Sequence, residues 1–517
     1  MLREAADALT AERPTMSLAA ATHRNGTAKA TIVAWSRAGF RRTFLLVAFL
    51  VLVAGCYGLR TSRGGGQTAF SPPRAVDPGA VALPAGYAID TVATGLTFPT
   101  GVAVDDEGTV FVVESGYAYG ARPGVARLLR LGPGTRRAVV AHSENPPWNG
   151  VTFHDGHFYV AGGHVREGEI LRISTSGSVE QVVGGLPSLG DHHTNGPVVG
   201  PDGVIYFGQG TATNSGVVGV DNYDYGWLAR RPSVHDVPCD DVTLTGQNFV
   251  SIDPLSQTVR DRTETGAFTP FGTSTTEGQR VAGQTPCSGA IFRIKPGGGL
   301  LELVAWGLRN PFGLAFDEKG RLFATDNGYD DRGSRPVWGT GDFLYLVQHG
   351  MWYGWPDYAG GVPISAFKPP GREQPDFLLA RHPNEAPRPA ALLDVHGSSN
   401  GIDFSRNDSF GYRGDAFVAQ FGDLAPEVGK VVHPVGFRVV RIVVDTGIVH
   451  GFAENFRGVG PASRVGGAGL ERPIAVRFSP DGSTLFVVDF GVMLVDEEGS
   501  HPQPETGVLW RITRSAE

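Results

Sequence analysis

One unit of sequence recurs six times along this 517-residue chain: a turn, a short apolar run, an acidic or Gly-containing turn, and a second apolar run. The copies open at Pro99-Thr100-Gly101-Val102, Trp148-Asn149-Gly150-Val151, Asn195-Gly196-Pro197-Val198, Asn310-Pro311-Phe312-Gly313, Asn400-Gly401-Ile402-Asp403 and Arg472-Pro473-Ile474-Ala475. Each is followed by a second run such as Val110-Phe111-Val112-Val113 or Leu485-Phe486-Val487-Val488. Most copies then close on an outer run carrying arginine, as in Ile170-Leu171-Arg172-Ile173, Ile291-Phe292-Arg293-Ile294 and Leu509-Trp510-Arg511-Ile512. Short β-branched runs bounded by Gly and Pro read as strands, and a four-strand unit repeating every 40 to 50 residues or so reads as propeller blades. The predicted fold is all-β, a six-bladed β-propeller with four-stranded blades.

The repeat fills residues 87–513 and leaves no room for a second core, since a propeller grows by adding blades. The 73 Gly and 36 Pro sit mostly at turns between apolar runs, as a turn-dense β fold requires. The opening residues differ. Arg41-Arg42-Thr43-Phe44 leads into an apolar stretch that ends at Val53-Ala54-Gly55-Cys56, too short to span a bilayer comfortably as a helix. Positive charge, apolar core and small residues are the layout of an export signal. The arginine pair resembles a twin-arginine signal, and the ending resembles a bacterial lipobox with Cys56 as the lipidated residue. An uncleaved anchor is the alternative, which the long segment before Arg41 favours unless the true start is Met16 or later. The expected organisation is an export signal over residues 1–56, a flexible tether over 57–80 and the propeller over 81–517, at the periplasmic or outer face. Membrane contact is then confined to the N-terminal lipid or anchor.

With Cys56 at the cut, Cys239 and Cys287 remain, both in a long insertion between the third and fourth repeats. A disulfide between them fits an oxidising compartment; two separate buried thiols are the alternative. Seven of the 44 Lys and Arg and three of the 52 Asp and Glu precede Cys56, leaving 37 basic and 49 acidic residues, a net of −12. That charge argues against nucleic acid as a partner. No Cys-x-x-Cys-His, His-Glu-x-x-His or Walker-type loop occurs.

Loops entering and leaving the inner strands of a propeller line a funnel, and three carry chemistry. Gly190-Asp191-His192-His193-Thr194 precedes the third inner strand; imidazole takes a hydroxyl proton near neutral pH while a neighbouring acid holds its tautomer. Turn and capping roles, or a surface metal pair, are the alternatives. Arg309, before the fourth inner strand, has the planar fork that suits a ligand carboxylate or an inter-blade ion pair. Asp326-Asn327-Gly328-Tyr329-Asp330-Asp331 packs oxygen ligands as tightly as Ca²⁺ requires, or forms an acidic turn without metal.

Gly307-Leu308-Arg309-Asn310-Pro311-Phe312-Gly313, the Asp326-Asn327-Gly328 loop and Tyr353-Gly354-Trp355-Pro356, in that order, resemble the soluble glucose/sorbosone dehydrogenase family over most of residues 85–513. That resemblance implies pyrroloquinoline quinone (PQQ) and Ca²⁺ as cofactors, a sugar substrate and a separate electron acceptor. It places the catalytic histidine on His192, with Asp191 beside it and His193 as the rival by one position. It also implies cofactor contacts from Arg309, Asn310 and Arg472, and Ca²⁺ at the carbonyls of Gly328 and Tyr329.

The chain departs from the family's pattern at four places. Trp148 replaces a glutamine, and is expected to stack on the cofactor; Phe404 replaces a cofactor-binding lysine; Ile474 replaces a second arginine; and Thr211 replaces a substrate-side aspartate. The leading expectation is an exported PQQ- and Ca²⁺-dependent dehydrogenase of sugars or related polyols. Two other classes are compatible with the same residues: a propeller that binds a ligand without the cofactor, and a Ca²⁺-dependent lactonase, which needs carboxylates converging on the axis.

Overall fold

The computed structural model describes residues 70–133, 137–258, 260–368, 375–429, 431, 433–496 and 498–515. The chain falls into two units, Met1–Leu59, of which no residue is described, and Arg60–Glu517, which holds every strand below. Arg41, Arg42 and Cys56 lie outside the described residues, so the export signal and lipid site do too. Among the described residues, no helix is long and apolar enough to cross a membrane.

Six antiparallel sheets form the blades, each inner strand lying against that of the next and the sixth against the first. From axis to rim, the first blade is Pro99–Val104, Val110–Glu114, Ala126–Leu131 and Arg137–Ser143. The second is Trp148–His154, His157–Gly162, Gly168–Ser174 and Val179–Leu186. The third is Thr194–Val199, Ile205–Gln209, Ala290–Ile294 and Glu302–Trp306. The fourth is Pro311–Phe316, Leu322–Asp326, Gly341–Leu346 and Ala391–Val395. The fifth is Ser399–Phe404, Ala416–Gln420, Arg438–Val443 and Ile448–Asn455, with Val81–Ala82 added at its rim. The sixth is Pro473–Phe478, Thr484–Asp489, Gly507–Arg514 and Tyr87–Leu96. Its last two strands come from opposite ends of the propeller sequence and pair from Tyr87↔Arg514 to Leu96↔Gly507, which closes the ring.

The arginine-bearing runs are third strands and not the outermost ones, a correction to the sequence expectation. Their arginines reach across to acids on the true rim strands: Arg172 to Glu180 at 2.5 Å, Arg293 to Glu302 at 2.6 Å and Arg511 to Asp90 at 2.8 Å. Second strands such as Ile205–Gln209 and Ala416–Gln420 are buried at every residue. Neighbouring blades cover both faces, so these strands read as unbroken apolar runs without alternation.

In the second and fourth openings the glycine answers a close approach of backbones. A Cβ on Gly150, whose φ is +121°, would come within 2.0 Å of the Gly196 carbonyl oxygen, and one on Gly313 within 2.2 Å of that of Asn400.

The long insertion lies within the third blade, between its second and third strands, and not between repeats. It carries the helices Val220–Asp224 and Trp227–Arg230 and the hairpin Asn248–Ile252 with Arg262–Gly266. The predicted Cys239–Cys287 disulfide is present, with Cα atoms 5.1 Å apart. The expected tether is engaged before residue 80. Arg74 pairs with Asp489 at 2.5 Å and donates to the Gly469 and Thr506 carbonyls.

Candidate functional site

The loops at one end of the inner strands enclose a cavity of about 190 Å³. It is lined by a ladder of asparagines from the second, third and fourth blades. Asn149 Nδ2 donates to Asn195 Oδ1 at 3.2 Å, Asn195 Nδ2 to Asn310 Oδ1 at 2.8 Å, Asn310 Nδ2 to Asn327 Oδ1 at 2.8 Å, and Asn327 Nδ2 to the Ser399 carbonyl at 3.0 Å. Asn149, Asn195 and Asn310 are the repeat's own opening residues, which gives the recurring Asn-Gly and Asn-Pro a purpose beyond turn formation. Part of the wall is apolar, with Phe312, Phe421, Ile474, Phe490 and Met493.

His192 lines this cavity and is buried. Its Nδ1 lies 3.0 Å from the Thr211 carbonyl and 3.1 Å from the Thr211 hydroxyl, which itself donates to the Thr213 carbonyl at 2.7 Å. Both neighbours of Nδ1 are therefore acceptors, so Nδ1 carries the proton and Nε2 keeps its lone pair. Burial, reinforced by the positive charges of Arg309 and Arg332, holds the imidazole well below the ordinary histidine range and so neutral at pH 7. Behind it, Asp236 accepts from Ala212 N at 2.6 Å and Thr213 Oγ1 at 2.5 Å, its carboxyl pushed up to about 7 by burial.

Asp191 does not hold the His192 tautomer; that expectation is corrected. Its carboxylate pairs instead with Arg332 at 2.8 Å and accepts from Asn222 Nδ2 at 3.0 Å. His193 also lines the cavity, but its ring packs among Tyr117, Tyr119, His164 and Trp227. Its Nε2 is buried with no partner among the described residues.

Arg309 reaches the cavity wall with its Nε on the Asn214 carbonyl, 3.1 Å, and its Nη2 on Asn214 Oδ1, 2.9 Å, and Asp330, 2.7 Å. The Trp355 indole braces the same Asn214 carbonyl at 3.3 Å, tying the later motif to the earlier one. Beside it, Arg332 pairs with Asp191 at 2.8 Å, Asp221 at 2.6 Å and Asp330 at 3.1 Å. Burial alone would lower the Arg332 guanidinium, but the surrounding Asp191, Tyr225, Asp330 and Asp221 outweigh it and hold the group charged. Asp330 is lowered, because Arg309 and Arg332 overcome its burial, whereas burial pushes Asp221 up to about 6. Two guanidiniums are thus matched by three carboxylates. Arg332 and Asp221 were missed by sequence reasoning as site residues, and Asp330, expected in a metal-binding or acidic turn, pairs with the two guanidiniums instead.

Asn310 is in the ladder, as described. Arg472 and Trp148 are not at the cavity, contrary to their expected roles. Arg472 is fully buried, its Nη1 3.2–3.4 Å from the carbonyls of Phe421, Gly422 and Asp423 and its guanidinium about 5 Å from the centroids of Phe421 and Phe437. Trp148 fills the core between the first and second blades with Phe111, Leu128, Phe158 and Ile173. Phe404 lies in the core between the fourth and fifth blades, and Ile474 lines the cavity. Of the two metal positions, Gly328 lines the cavity, while the Tyr329 carbonyl accepts from the Thr340 hydroxyl at 3.3 Å and its ring turns away to the Tyr358 carbonyl. Among the described residues, no cluster of three or more His, Cys, Asp or Glu side chains is arranged to hold a metal ion.

No family model and no curated protein matches the chain. Among solved structures it is similar to the PQQ-bound aldose sugar dehydrogenase of Streptomyces coelicolor, at 18% identity over 84% of this chain and 99% of that one, TM-score 0.47. A calcium structure of a Trichoderma reesei carbohydrate-active enzyme of family AA12 matches at 16% identity over 85% and 98%, TM-score 0.49. The apo soluble aldose sugar dehydrogenase of Escherichia coli matches at 15% identity over 83% and 99%, TM-score 0.46.

Proposed function

We propose that the funnel oxidises a hydroxyl group of a sugar or related polyol. His192 Nε2 accepts the hydroxyl proton as hydride leaves the same carbon for a separate two-electron acceptor. One observation carries this reading: Thr211 fixes the proton of His192 on Nδ1, so the nitrogen left for the cavity is a neutral base with a free lone pair. The motif resemblance to sugar dehydrogenases supports it. The Cys239–Cys287 disulfide and the layout ending at Cys56 support a location outside the cytoplasm.

PQQ, the acceptor that the resemblance implies, is an ortho-quinone with three carboxylates. Arg309 offers a donor to such a group, but Arg472 is turned into backbone carbonyls, Phe404 and Ile474 are apolar, and Arg332 is outnumbered by carboxylates. Among the described residues, the cavity lacks the free cations that three buried carboxylates need. Ca²⁺ would meet the Gly328 carbonyl with Tyr329 already engaged. The residues present do not fit the Ca²⁺-bound tricarboxylate.

That mismatch favours a second reading, a sugar-binding funnel without redox chemistry. Dye-linked oxidation of aldoses, sorbosone and polyols, with and without added PQQ and Ca²⁺, tests the first. Turnover that falls by about 10²–10⁴-fold in His192→Gln supports it, the usual worth of a positioned base. No turnover with any acceptor, alongside calorimetric sugar binding, leaves the second.

A further inference from the structure

The inner cavity meets a second, open chamber of about 1180 Å³, and five residues line both: Tyr117, Tyr119, Tyr225, Arg332 and Glu427. They form the neck between the two. Each comes from the connection between the second and third strands of a blade, the first, third, fourth or fifth.

Glu427 stands apart from the other carboxylates nearby. Asp191, Asp221 and Asp330 take the three nitrogens of Arg332, at 2.8, 2.6 and 3.1 Å. Glu427 takes none of them, and its only partner among the described residues is Ser500, whose hydroxyl donates to Oε2 at 2.9 Å. It is half-buried, and burial raises its carboxyl. A carboxylate drawn partly out of water without a counter-charge is stabilised most by a cation.

The rings of the neck offer faces for one. Tyr117 and Tyr119 have centroids 6.0 Å apart at 69°, and Tyr119 and Tyr225 5.9 Å apart at 55°, so the three make an angled aromatic wall. The protein already sets one cation against it, since the Arg332 guanidinium lies 5.1 Å from the Tyr225 centroid. Among the described residues no cation lies over Tyr117 or Tyr119. Both are half-buried, and burial holds their phenols above the ordinary range and so neutral.

An anion meets four carboxylates against the two guanidiniums of Arg309 and Arg332, and a neutral ligand leaves Glu427 without a counter-charge. A primary ammonium needs three acceptors, more than one carboxylate and ring faces supply. A methylated ammonium needs few or none, pairs with Glu427 by charge and lies against the rings.

We propose that the neck binds a methylated ammonium group, with Glu427 as its counter-ion and Tyr117 and Tyr119 as its ring faces, and that the molecule accepted by the funnel carries that group together with its hydroxyl. The ammonium-bearing alcohol as substrate rests on the reading of His192 as a base; the binding site does not.

Titration calorimetry on the full chain at fixed ionic strength, without PQQ or any acceptor, tests it with tetramethylammonium, choline and the uncharged tert-butyl analogue of choline. Choline is expected to bind about tenfold or more tighter than its uncharged analogue. Glu427→Gln, which keeps an acceptor for Ser500, is expected to bring the two within about twofold, and Tyr117→Leu to weaken choline about threefold or more. Circular dichroism should report a folded chain in both variants. The uncharged analogue binding as tightly as choline, no heat from either cation, or an unchanged choline affinity in folded Glu427→Gln would each overturn the proposal. Choline binding without dye-linked oxidation of choline or of any sugar refutes the dehydrogenase and leaves the site; sugar oxidation without cation binding does the reverse.

Discussion

The Thr211 hydroxyl sits 3.1 Å from His192 Nδ1 and donates its own hydrogen bond to the Thr213 carbonyl, so a neutral side chain orients the imidazole. A carboxylate in that place would both orient the ring and stabilise its protonated form. Threonine orients without charge. The base is therefore well placed but weak, and burial with two guanidiniums nearby weakens it further.

Thr211→Asp is expected to strengthen the base. A lowered imidazole pKa means that the unprotonated form survives as pH falls, so the acid limb of the wild-type rate profile should lie well below the 6.5 of a free histidine. The aspartate favours the imidazolium and moves that limb upward. Thr211→Val keeps the shape and the carbonyl bond, and should lower kcat with the limb unmoved. The pH dependence of kcat/KM checks both, and a limb that stays put in Thr211→Asp refutes the assignment of Thr211 as the orienting residue.

Arg472→Met should cost stability and spare the site. The change leaves the carbonyls of Phe421, Gly422 and Asp423 without this donor, at about 1–3 kcal/mol for each group left unsatisfied. A lower urea midpoint with ligand affinity within about twofold is the expected pair of results. A large loss of affinity in a folded variant would return Arg472 to the cavity.

The six inner strands and the Asn-Gly openings were legible because blades repeat the same burial on both faces. The rim strands were not: Val179–Leu186 is exposed over much of its length, and a strand with one wet face and few apolar residues resembles a loop. Trp148 and Asn149 show the limit at the site. They are adjacent in a strand, so one faces the axis and the other the blade core, and a one-residue offset decides which. Motif spacing identified His192 and Arg309. The partner of His192 was not legible as such, since Thr211 was read only as a missing aspartate, and the Asp191, Asp221, Asp330 and Arg332 cluster joins segments 30 to 140 residues apart through contacts that no local pattern encodes.

Removing the disulfide should affect both stability and turnover. Cys239 and Cys287 are 48 residues apart, and closing a loop of that length is worth about 4 kcal/mol in the chain-entropy account. Three residues before the bridge, Asp236 braces Ala212 and Thr213 behind His192, and Val237 and Ser288 bond to each other beside it. The double substitution Cys239→Ser and Cys287→Ser is expected to lower the urea midpoint and to reduce kcat under conditions where circular dichroism still reports a folded chain. Equal kcat in the folded double variant would show that the brace does not depend on the bridge.

Arg332→Met tests whether the guanidinium is needed to keep its carboxylates buried. It faces Asp191, Asp221 and Asp330 within 3.1 Å, and removing one side of a buried ion pair typically costs about 3–5 kcal/mol because the other side is left uncompensated. The loss should shrink at low pH. Without Arg332, the aspartates rise above their ordinary values and take up protons, so the variant gains stability relative to wild type as pH falls from about 7 towards 4. Chemical denaturation of both proteins across that range measures the difference. A pH-independent gap would mean that the aspartates remain ionised without Arg332, held by Asn222, Arg309 and His396 instead.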